Sequence, residues 1–488
     1  MLKLLFRSLL ERPRRTALFL LGYAIGVSVV ATLLSVGEAV LREARDKDLL
    51  GGGDVILLPA GIDVEALKVG GATALFYKIG GLRFITRSVL TSPRVAPHIA
   101  AVSPRIVGGQ LYLEARGRIT PVLAIGTVPS REREVLPGWS WPDSFADSPE
   151  DRRLLDPTPA EALADMDRFH APPERALERR WVEWHYFEVF EPASGRFAYL
   201  SFQALGDWRS GRAMGLASVQ LGDSTGRVER SAVPVPGARV RPSLASPDLD
   251  LGAARVTLEG RRYRVSFRTP KARGEVVFTP GPGQGFTTGE MRGDSGFVTG
   301  YSVPFVRGTA TGEIRGRGGA WRFADARGYH DHNWGVWRNV SWNWGKFASD
   351  TLSLVYGQIT EAGQRQPGFA VLFGPTGMIG LFRPESVEVV PGRVRVPTPM
   401  GTTARPDFVR LRATSGERDT LSMDIEVRSA VATPMPVDRD LSLASLAAAS
   451  HAFVQLRGHY RVHAILDGKS FRAEGPGPLE TYAPILRR

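Results

Sequence analysis

The sequence predicts a mainly β protein: two β-barrels in tandem, preceded by one transmembrane helix and a small α+β extracytoplasmic domain. Three observations carry this prediction. One uncharged stretch, Thr16 to Gly37, lies near the amino terminus. Mixed helical and strand-like patterns follow to about Leu136. From Trp181 onward, short apolar runs are separated by Gly, Pro and Asp turns. The 488 residues are enough for two or three domains.

Composition narrows the partners. Hydrophobic residues make up 43% of the chain, with 54 Gly and 35 Pro, which suits a turn-rich globular protein better than a disordered one. There is no cysteine, so disulfides, thiolate metal sites and a Cys nucleophile are excluded. The net charge is +12, but the arginines are scattered among Asp and Glu without a long basic stripe. Nucleic acid is therefore not an expected partner.

Residues 16–37, as a helix rising about 1.5 Å per residue, would span roughly 33 Å, enough for a bilayer core. Lys3, Arg7, Arg12, Arg14 and Arg15 precede it, against Glu11 alone. The positive-inside rule then puts residues 1–15 in the cytoplasm and the rest outside the cytoplasmic membrane. No later run is long enough to cross again, so the chain reads as single-pass. A cleaved signal peptide would have a shorter apolar core, and Ser35-Val36-Gly37 is a poor cleavage site. Gly22 and Gly26 form a GxxxG pair, read either as a helix-packing motif or as ordinary membrane glycines. Leu2, Leu5, Phe6, Leu9 and Leu10 fall near one face, as in an amphipathic segment on the inner surface.

Arg12-Pro13-Arg14-Arg15-Thr16-Ala17-Leu18 and Leu21-Gly22-Tyr23-Ala24-Ile25-Gly26-Val27 resemble the first helix of ABC-exporter permeases of the MacB/FtsX type. That resemblance implies an extracytoplasmic domain next, and exporter ATPase and permease subunits as partners. The three further membrane helices of that family have no counterpart here.

Residues 38–137 read as the small domain. Leu41 to Leu50 continues as helix and stops at Gly51-Gly52-Gly53, which lacks the Lys and context of a phosphate loop. Asp54 to Pro59, Gln110 to Glu114 and Thr120 to Ile125 read as strands. Residues 138–180, rich in Pro, Asp and Ser, read as a linker with a short helix over Ala160 to Arg168.

The first barrel is expected over 181–350 and the second over 351–488. Predicted strands are Trp181 to Phe190, Phe197 to Ala204, Val256 to Leu258, Tyr263 to Phe267, Glu275 to Phe278, Leu352 to Ile359, Phe369 to Phe373, Phe408 to Ala413, Leu421 to Val427 and His459 to Leu466. Leu443 to Ala449 reads as a short helix. About three hundred residues are too many for one small barrel. Small barrels can enclose one ligand, with side chains alternating in and out.

One run concentrates polar chemistry: Gly328-Tyr329-His330-Asp331-His332-Asn333-Trp334-Gly335, followed by Trp337, Trp342 and Trp344. It resembles the signature of the carotenoid hydratase (CrtC)/AttH family. Trp181-Val182-Glu183-Trp184-His185-Tyr186-Phe187-Glu188 resembles that family's opening strand, and Gly300-Tyr301 through Gly312-Glu313-Ile314 also fits. The resemblance covers roughly Trp181 to the C-terminus. It implies lipocalin-like barrels, with Asp331 as catalytic acid and Tyr329 as its helper. The family's upstream Trp falls in a segment reading Tyr301-Ser302-Val303-Pro304-Phe305 here.

Strand alternation puts Tyr329, Asp331 and Asn333 on one side, and His330, His332 and Trp334 on the other. In the opening strand both faces carry aromatics and a carboxylate, so alternation does not select the inward one. Three readings stand. A neutral, shielded Asp331 could protonate an alkene, with aromatic faces stabilising the cation. His330 and His332 could ligate a metal with His185 or Glu183, although no established ligand spacing supports it and no metal is assigned. The run could also be a satisfied polar network at the junction of two barrels. Glu480 and Tyr482 either line a pocket or pack.

Asp331 and Tyr329 are expected to look into a barrel interior. His330, His332, Asn333, Trp334, Trp184 and His185 are the expected ligand-binding residues, and no cofactor is expected. The functional expectation is a membrane-anchored protein that binds a terpenoid, polyketide or lipid beside an ABC export system. The alternative is an acid-catalysed alkene hydratase, isomerase or cyclase using Asp331.

Overall fold

The computed structural model describes residues 92–155, 157–172, 174–293, 296–366, 368–384, 386–416, 418–435 and 449–486, with isolated helical positions between 13 and 90. Most of the expected span 16–37 lies outside the described residues. So do Leu41 to Leu50, Asp54 to Pro59, nearly all of 1–15, and all but the last residue of the helix expected over Leu443 to Ala449. Among the described residues no helix is long and apolar enough to cross a membrane.

The chain divides into two compact units: Met1–Phe76 with Ala101–Ser148, and Tyr77–Ala100 with Pro149–Arg488. In the first unit β1 (Arg105–Ala115) and β2 (Arg118–Thr127) form an antiparallel hairpin. Its two turn residues, Arg116 and Gly117, have φ of 53° and 71°, the tight mirror-image turn whose twist suits a hairpin. A helix follows at Pro129–Val135. Its buried Glu132 accepts from Ser103 and Thr127, each at 2.7 Å, and pairs with Arg105.

The second unit holds two large antiparallel sheets. The first has twelve strands: β3 (Val182–Glu191), β4 (Arg196–Leu205), β5 (Met214–Gly222), β6 (Val228–Pro236), β7 (Arg241–Pro242), β8 (Leu249–Asp250), β9 (Ala254–Glu259), β10 (Arg262–Arg268), β11 (Arg273–Pro280), β12 (Phe286–Arg292), β13 (Val298–Gly316) and β14 (Gly319–Val336). Their order is β6-β5-β4-β3-β14-β13-β11-β10-β9-β8-β7, with β12 also on β13. The second sheet has ten: β15 (Val340–Ala348), β16 (Ser353–Glu361), β17 (Gln364–Arg365), β18 (Phe369–Phe373), β19 (Met378–Phe382), β20 (Val387–Thr398), β21 (Gly401–Ser415), β22 (Asp419–Met435), β23 (His451–Leu466) and β24 (Lys469–Pro484). They run β19-β18-β16-β15-β24-β23-β22-β21-β20, with β17 on β16.

The mainly β prediction is realised, with three differences. First, the end strands of each order do not pair with each other among the described residues. Each is a curled, open antiparallel sheet where the sequence reading expects a closed barrel. The ends carry prolines that cannot donate to a further ladder: Pro234 and Pro236 in β6, Pro242 in β7, and Pro391 and Pro397 in β20. Second, Val340 to Ala348 belongs to the second sheet, paired with β16 and β24. The chain changes sheets at a turn where Asn339 has φ of 55°, a conformation Asn tolerates.

Third, the carboxy-terminal part of the expected linker 138–180 is built into the first sheet, while no described residue from 138 to 165 is buried. Thr158 and Glu161 cap the helix Pro159–Asp167 reciprocally, close to the predicted span. The helix then delivers Asp167, Phe169 and His170 into the first sheet's interior, all buried. Their polar character suggested solvent because the partners that satisfy them are distant in sequence. Likewise Arg94, expected in the small domain, binds Asp419 at 2.7 Å and Asp467 at 2.8 Å beside the second sheet.

Among the described residues four apolar clusters hold the second unit, the smallest of them Leu177, Trp181, Val298, Trp334 and Val336. One fills the concave face of the first sheet, including Phe187, Phe202, Tyr263, Phe278 and Phe305. Another fills the second sheet, with Leu354, Met423, Ile425 and Tyr460. The third joins the sheets: Tyr186, Tyr199, Tyr301 and Tyr329 from the first meet Trp344, Val355, Val371 and Phe373 from the second. A buried ion cluster crosses this joint. Glu188 on β3 pairs with Lys346 on β15, and with Arg457 on β23 at 3.4 Å. Arg457 also donates to the Tyr199 hydroxyl at 2.7 Å and lies over the Phe197 ring.

Removing one partner of a buried pair costs about 3–5 kcal/mol because the other charge is stranded. Glu188→Ala is expected to lower the denaturant midpoint of tryptophan fluorescence accordingly. Adding Lys346→Met should restore part of the loss. Equal midpoints for wild type and Glu188→Ala would show that the cluster contributes nothing to the joint.

Candidate functional site

The signature lies on β14, between β3 and β13, and both its faces are covered. Register decides what shares a face. Tyr329 stands opposite Glu188, Asp331 opposite Tyr186 and Asn333 opposite Trp184. On the other face His330 opposes Phe187, His332 opposes His185 and Trp334 opposes Glu183. Because Phe187 and His185 sit in the first sheet's interior, the even-numbered signature residues point there. Asp331 and Tyr329 thus look into the layer between the two sheets. The expectation that they face a barrel interior is corrected by that register.

The inter-sheet face is a directed chain of hydrogen bonds. Trp344 Nε1 donates to the Tyr301 hydroxyl at 2.8 Å. The Tyr301 and Tyr329 hydroxyls are 3.1 Å apart, and Tyr329 donates to Asp331 Oδ2 at 2.7 Å. Tyr301 also reaches Oδ2 at 3.4 Å, and Asn333 Nδ2 donates to Oδ1 at 3.2 Å. Asp331 keeps only 4% of its surface exposed, and Tyr329 none.

Burial pushes the Asp331 carboxyl up to about 8; the hydrogen bond from Tyr329 opposes this, while the charge of Glu480 adds to it. Burial likewise pushes Glu480 up to about 7, against the hydrogen bond from Trp342 at 3.0 Å. Both phenols are driven well above their ordinary range, first by burial and then by the charge of Asp331. At neutral pH this face therefore presents a protonated carboxyl within a set of neutral phenols. Lys346 Nζ lies 4.6 Å over the Tyr329 ring.

Beside Asp331 the aromatics become half-buried. Trp184 and Trp337 are 5.2 Å apart, Trp337 and Trp342 5.1 Å, and Trp342 and Tyr482 4.9 Å. With Phe453 and Glu480 they form an apolar rim carrying one carboxyl. Such a rim can hold a flat or extended apolar molecule, and its π-faces can stabilise positive charge.

The interior face is a second, separate network. Asp167 approaches His330 Nε2 at 2.9 Å and His332 Nδ1 at 3.0 Å. Glu183 accepts from the His170 backbone N–H at 2.9 Å, contacts His170 Nδ1 at 2.9 Å and lies 3.1 Å from His332 Nε2. Burial alone would raise both carboxyls. Neighbouring histidines overturn this, by charge chiefly at Asp167 and by hydrogen bonds from His170 and His332 at Glu183, and hold both below the usual range. Burial would lower His332, but its bonds to Asp167 and Glu183 lift it to about 9. His185 is held well below 6.5 by burial and the charge of His332. The His170 ring stacks on Trp334 at 3.8 Å, and His330 on Phe187 at 3.9 Å. Gly300 opposite Trp334 leaves room for the indole, since a Cβ there would come within 2.0 Å of it.

Of the eight expected site residues, Asp331, Tyr329, Asn333 and Trp184 share the inter-sheet face. His330, His332, Trp334 and His185 lie across the strand in the buried interior. Sequence reasoning did not assign Tyr301, Trp344 or Lys346 to the Asp331 face, nor Asp167 and His170 to the other. The alternating Trp342 and Trp344 were a usable signal, since both fall on one side of β15. Asp167, more than 160 residues from its partners, offered none.

The raised carboxyl has a stability consequence. Unfolded Asp ionises near 3.8, while folded Asp331 holds its proton to about 8. Its contribution is thus fully present below about 4 and is lost as pH rises through 8. The melting temperature of Asp331→Asn minus that of wild type should therefore climb between pH 4 and 8 and then level. A difference independent of pH would mean that Asp331 titrates as an ordinary carboxylate.

No family model and no curated protein matches the chain. Comparison with solved structures finds partial likenesses. A protein named as a candidate AttH from Nitrosomonas europaea is 18% identical, with a TM-score of 0.45; the match covers 65% of this chain and 98% of that one. CghA in complex with Sch210972 is 12% identical, with a TM-score of 0.45, over 68% of this chain and 96% of that one.

Proposed function

We propose that this chain binds an apolar, unsaturated small molecule, of terpenoid, polyketide or lipid type, at the aromatic rim between its two curled sheets. In this reading the sheets are two lipocalin-like half-barrels. The observation that carries it is the half-buried cluster of Trp184, Trp337, Trp342, Phe453 and Tyr482 beside the Asp331 carboxyl. A contiguous, half-buried aromatic cluster beside a polar group is a recognised mark of a ligand site.

A second reading is favoured by Asp331 itself. A neutral acid next to an alkene can transfer its proton to one carbon, and the π electrons form the new C–H bond. The cation left on the other carbon faces the aromatic rings. Water then adds and loses a proton, giving hydration; alternatively a neighbouring C–H loses its proton and gives an isomer. Either proton returns to the carboxylate. Tyr329 and Tyr301 orient the acid, and burial keeps it protonated.

Extraction of the purified full chain into organic solvent, followed by mass spectrometry, is expected to recover an apolar compound. Trp342→Ala should lower its occupancy about tenfold, in line with the loss of one anchoring aromatic. Incubation of that compound in D₂O should give deuterium incorporation that Asp331→Asn abolishes while affinity stays within a few fold. Wild-type protein that is ligand-free and binds none of the apolar compounds would sink the first reading. Unchanged turnover in Asp331→Asn would sink the second.

The N-terminal span 16–37 completes the proposal as a single-pass anchor, holding these sheets outside the cytoplasmic membrane beside an ABC exporter's ATPase and permease subunits. The permease-like residues from Arg12 to Val27 support this. Membrane fractionation should find the full chain in the alkali-resistant membrane pellet, and a chain lacking residues 1–37 in the soluble fraction. The full chain in the soluble fraction would refute the anchor.

A further inference from the structure

We propose that Asp167, His185 and His330 form a buried binding site for a divalent transition-metal ion, with Zn²⁺ the best match to the donors. The three residues come from the end of the helix Pro159–Asp167, from β3 and from β14, and none has exposed surface. Their ligand atoms lie within 4.8 Å of one another.

Hydrogen bonding on the far side of each ring sets the lone pairs. His330 Nδ1 stands 3.1 Å from the Tyr186 carbonyl, and only an N–H can face a carbonyl oxygen productively. In the neutral ring Nε2 is then unprotonated, and it points at Asp167 Oδ2 from 2.9 Å. His185 Nε2 is 2.8 Å from the Pro247 carbonyl, so its N–H sits there. The bare Nδ1 has no hydrogen-bond partner and lies 3.9 Å from Asp167 Oδ1. Two imidazole lone pairs and the two oxygens of one carboxylate therefore face one small buried space.

A proton between His330 and Asp167 would settle one contact and leave His185 Nδ1 unsatisfied. A metal ion would settle all three, displacing any such proton. Tetrahedral ligands about 2.0–2.1 Å from Zn²⁺ stand roughly 3.4 Å apart. His330 Nε2 is 2.9 Å from Oδ2 and His185 Nδ1 is 3.9 Å from Oδ1, with the three ligand atoms within 4.8 Å of one another, so loading would draw the wider contacts in to that spacing. Backbone carbonyls behind both rings supply the outer-shell acceptors that metal-bound histidines use. His332 Nδ1, 3.0 Å from both the Asp167 carbonyl and Oδ1, orients the carboxylate. Two nitrogens and one carboxylate suit Zn²⁺ over Mg²⁺ or Ca²⁺, which prefer oxygen alone.

The site faces away from Asp331, across β14. Its role is to pin the segment that ends at Asp167 to the first sheet, and it stands apart from the proposed ligand site. Being enclosed, it would load during folding.

The test is metal content after refolding. The full chain, unfolded in denaturant with chelator and refolded with excess Zn²⁺, should retain about one Zn²⁺ per chain by elemental analysis and melt higher than chain refolded without metal. Refolding with Co²⁺ should give the intense visible bands of a tetrahedral nitrogen–oxygen site. His185→Gln and Asp167→Asn should each weaken binding about tenfold or more, as even outer-shell changes do. Wild-type chain that refolds with no retained metal and no shift in melting would overturn the proposal. So would equal retention in both variants, since the ion would then sit elsewhere.

Discussion

One strand buried on both sides sets the terms for the second unit. β14 has the first sheet's interior against one face and the second sheet against the other, so its period of two sends successive side chains into different environments. No residue from Tyr329 to Trp334 can reach bulk water freely. Each polar group must find a partner within its own layer, and the two layers solve that problem in opposite ways.

In the interior, carboxyls are matched by imidazoles. Asp167 and Glu183 stay ionised because His330, His332 and His170 surround them. In the inter-sheet layer Asp331 meets only neutral donors: two phenols and an amide. Hydrogen bonds from neutral groups do not repay the desolvation of a charge as an ion pair can. The carboxyl on that side therefore keeps its proton. The same aspartate side chain, placed on either face of a β-strand pair, becomes a base on one and an acid on the other.

Much of this architecture could be read from the chain. The strands Phe197 to Ala204, Tyr263 to Phe267 and Phe369 to Phe373 were legible because turn residues bracket apolar runs. The odd–even division of the signature was legible too, since a strand's period requires it. Which half faced inward was not, because Phe187, Val189, Tyr186 and Phe190 make both faces of β3 apolar enough to bury. The role of residues 159–170 was hidden as well. A Pro- and Asp-rich segment resembles a linker until the histidines that satisfy Asp167 are brought against it by the fold.

The inter-sheet layer also orders its own titrations. Lys346 and Arg457 bring two positive charges to this joint, and Glu188 supplies one negative. One more negative charge would balance them, and Asp331 and Glu480 are the carboxyls available on that side. Burial raises both, Glu480 to about 7 and Asp331 to about 8, and the charge of Glu480 adds to what burial does at Asp331. Asp331 is thereby the better placed of the two to hold a proton at neutral pH. The assignment is dictated by depth. The deeper residue, bonded to Tyr329 and Tyr301, keeps its proton to higher pH than the one beside Trp342.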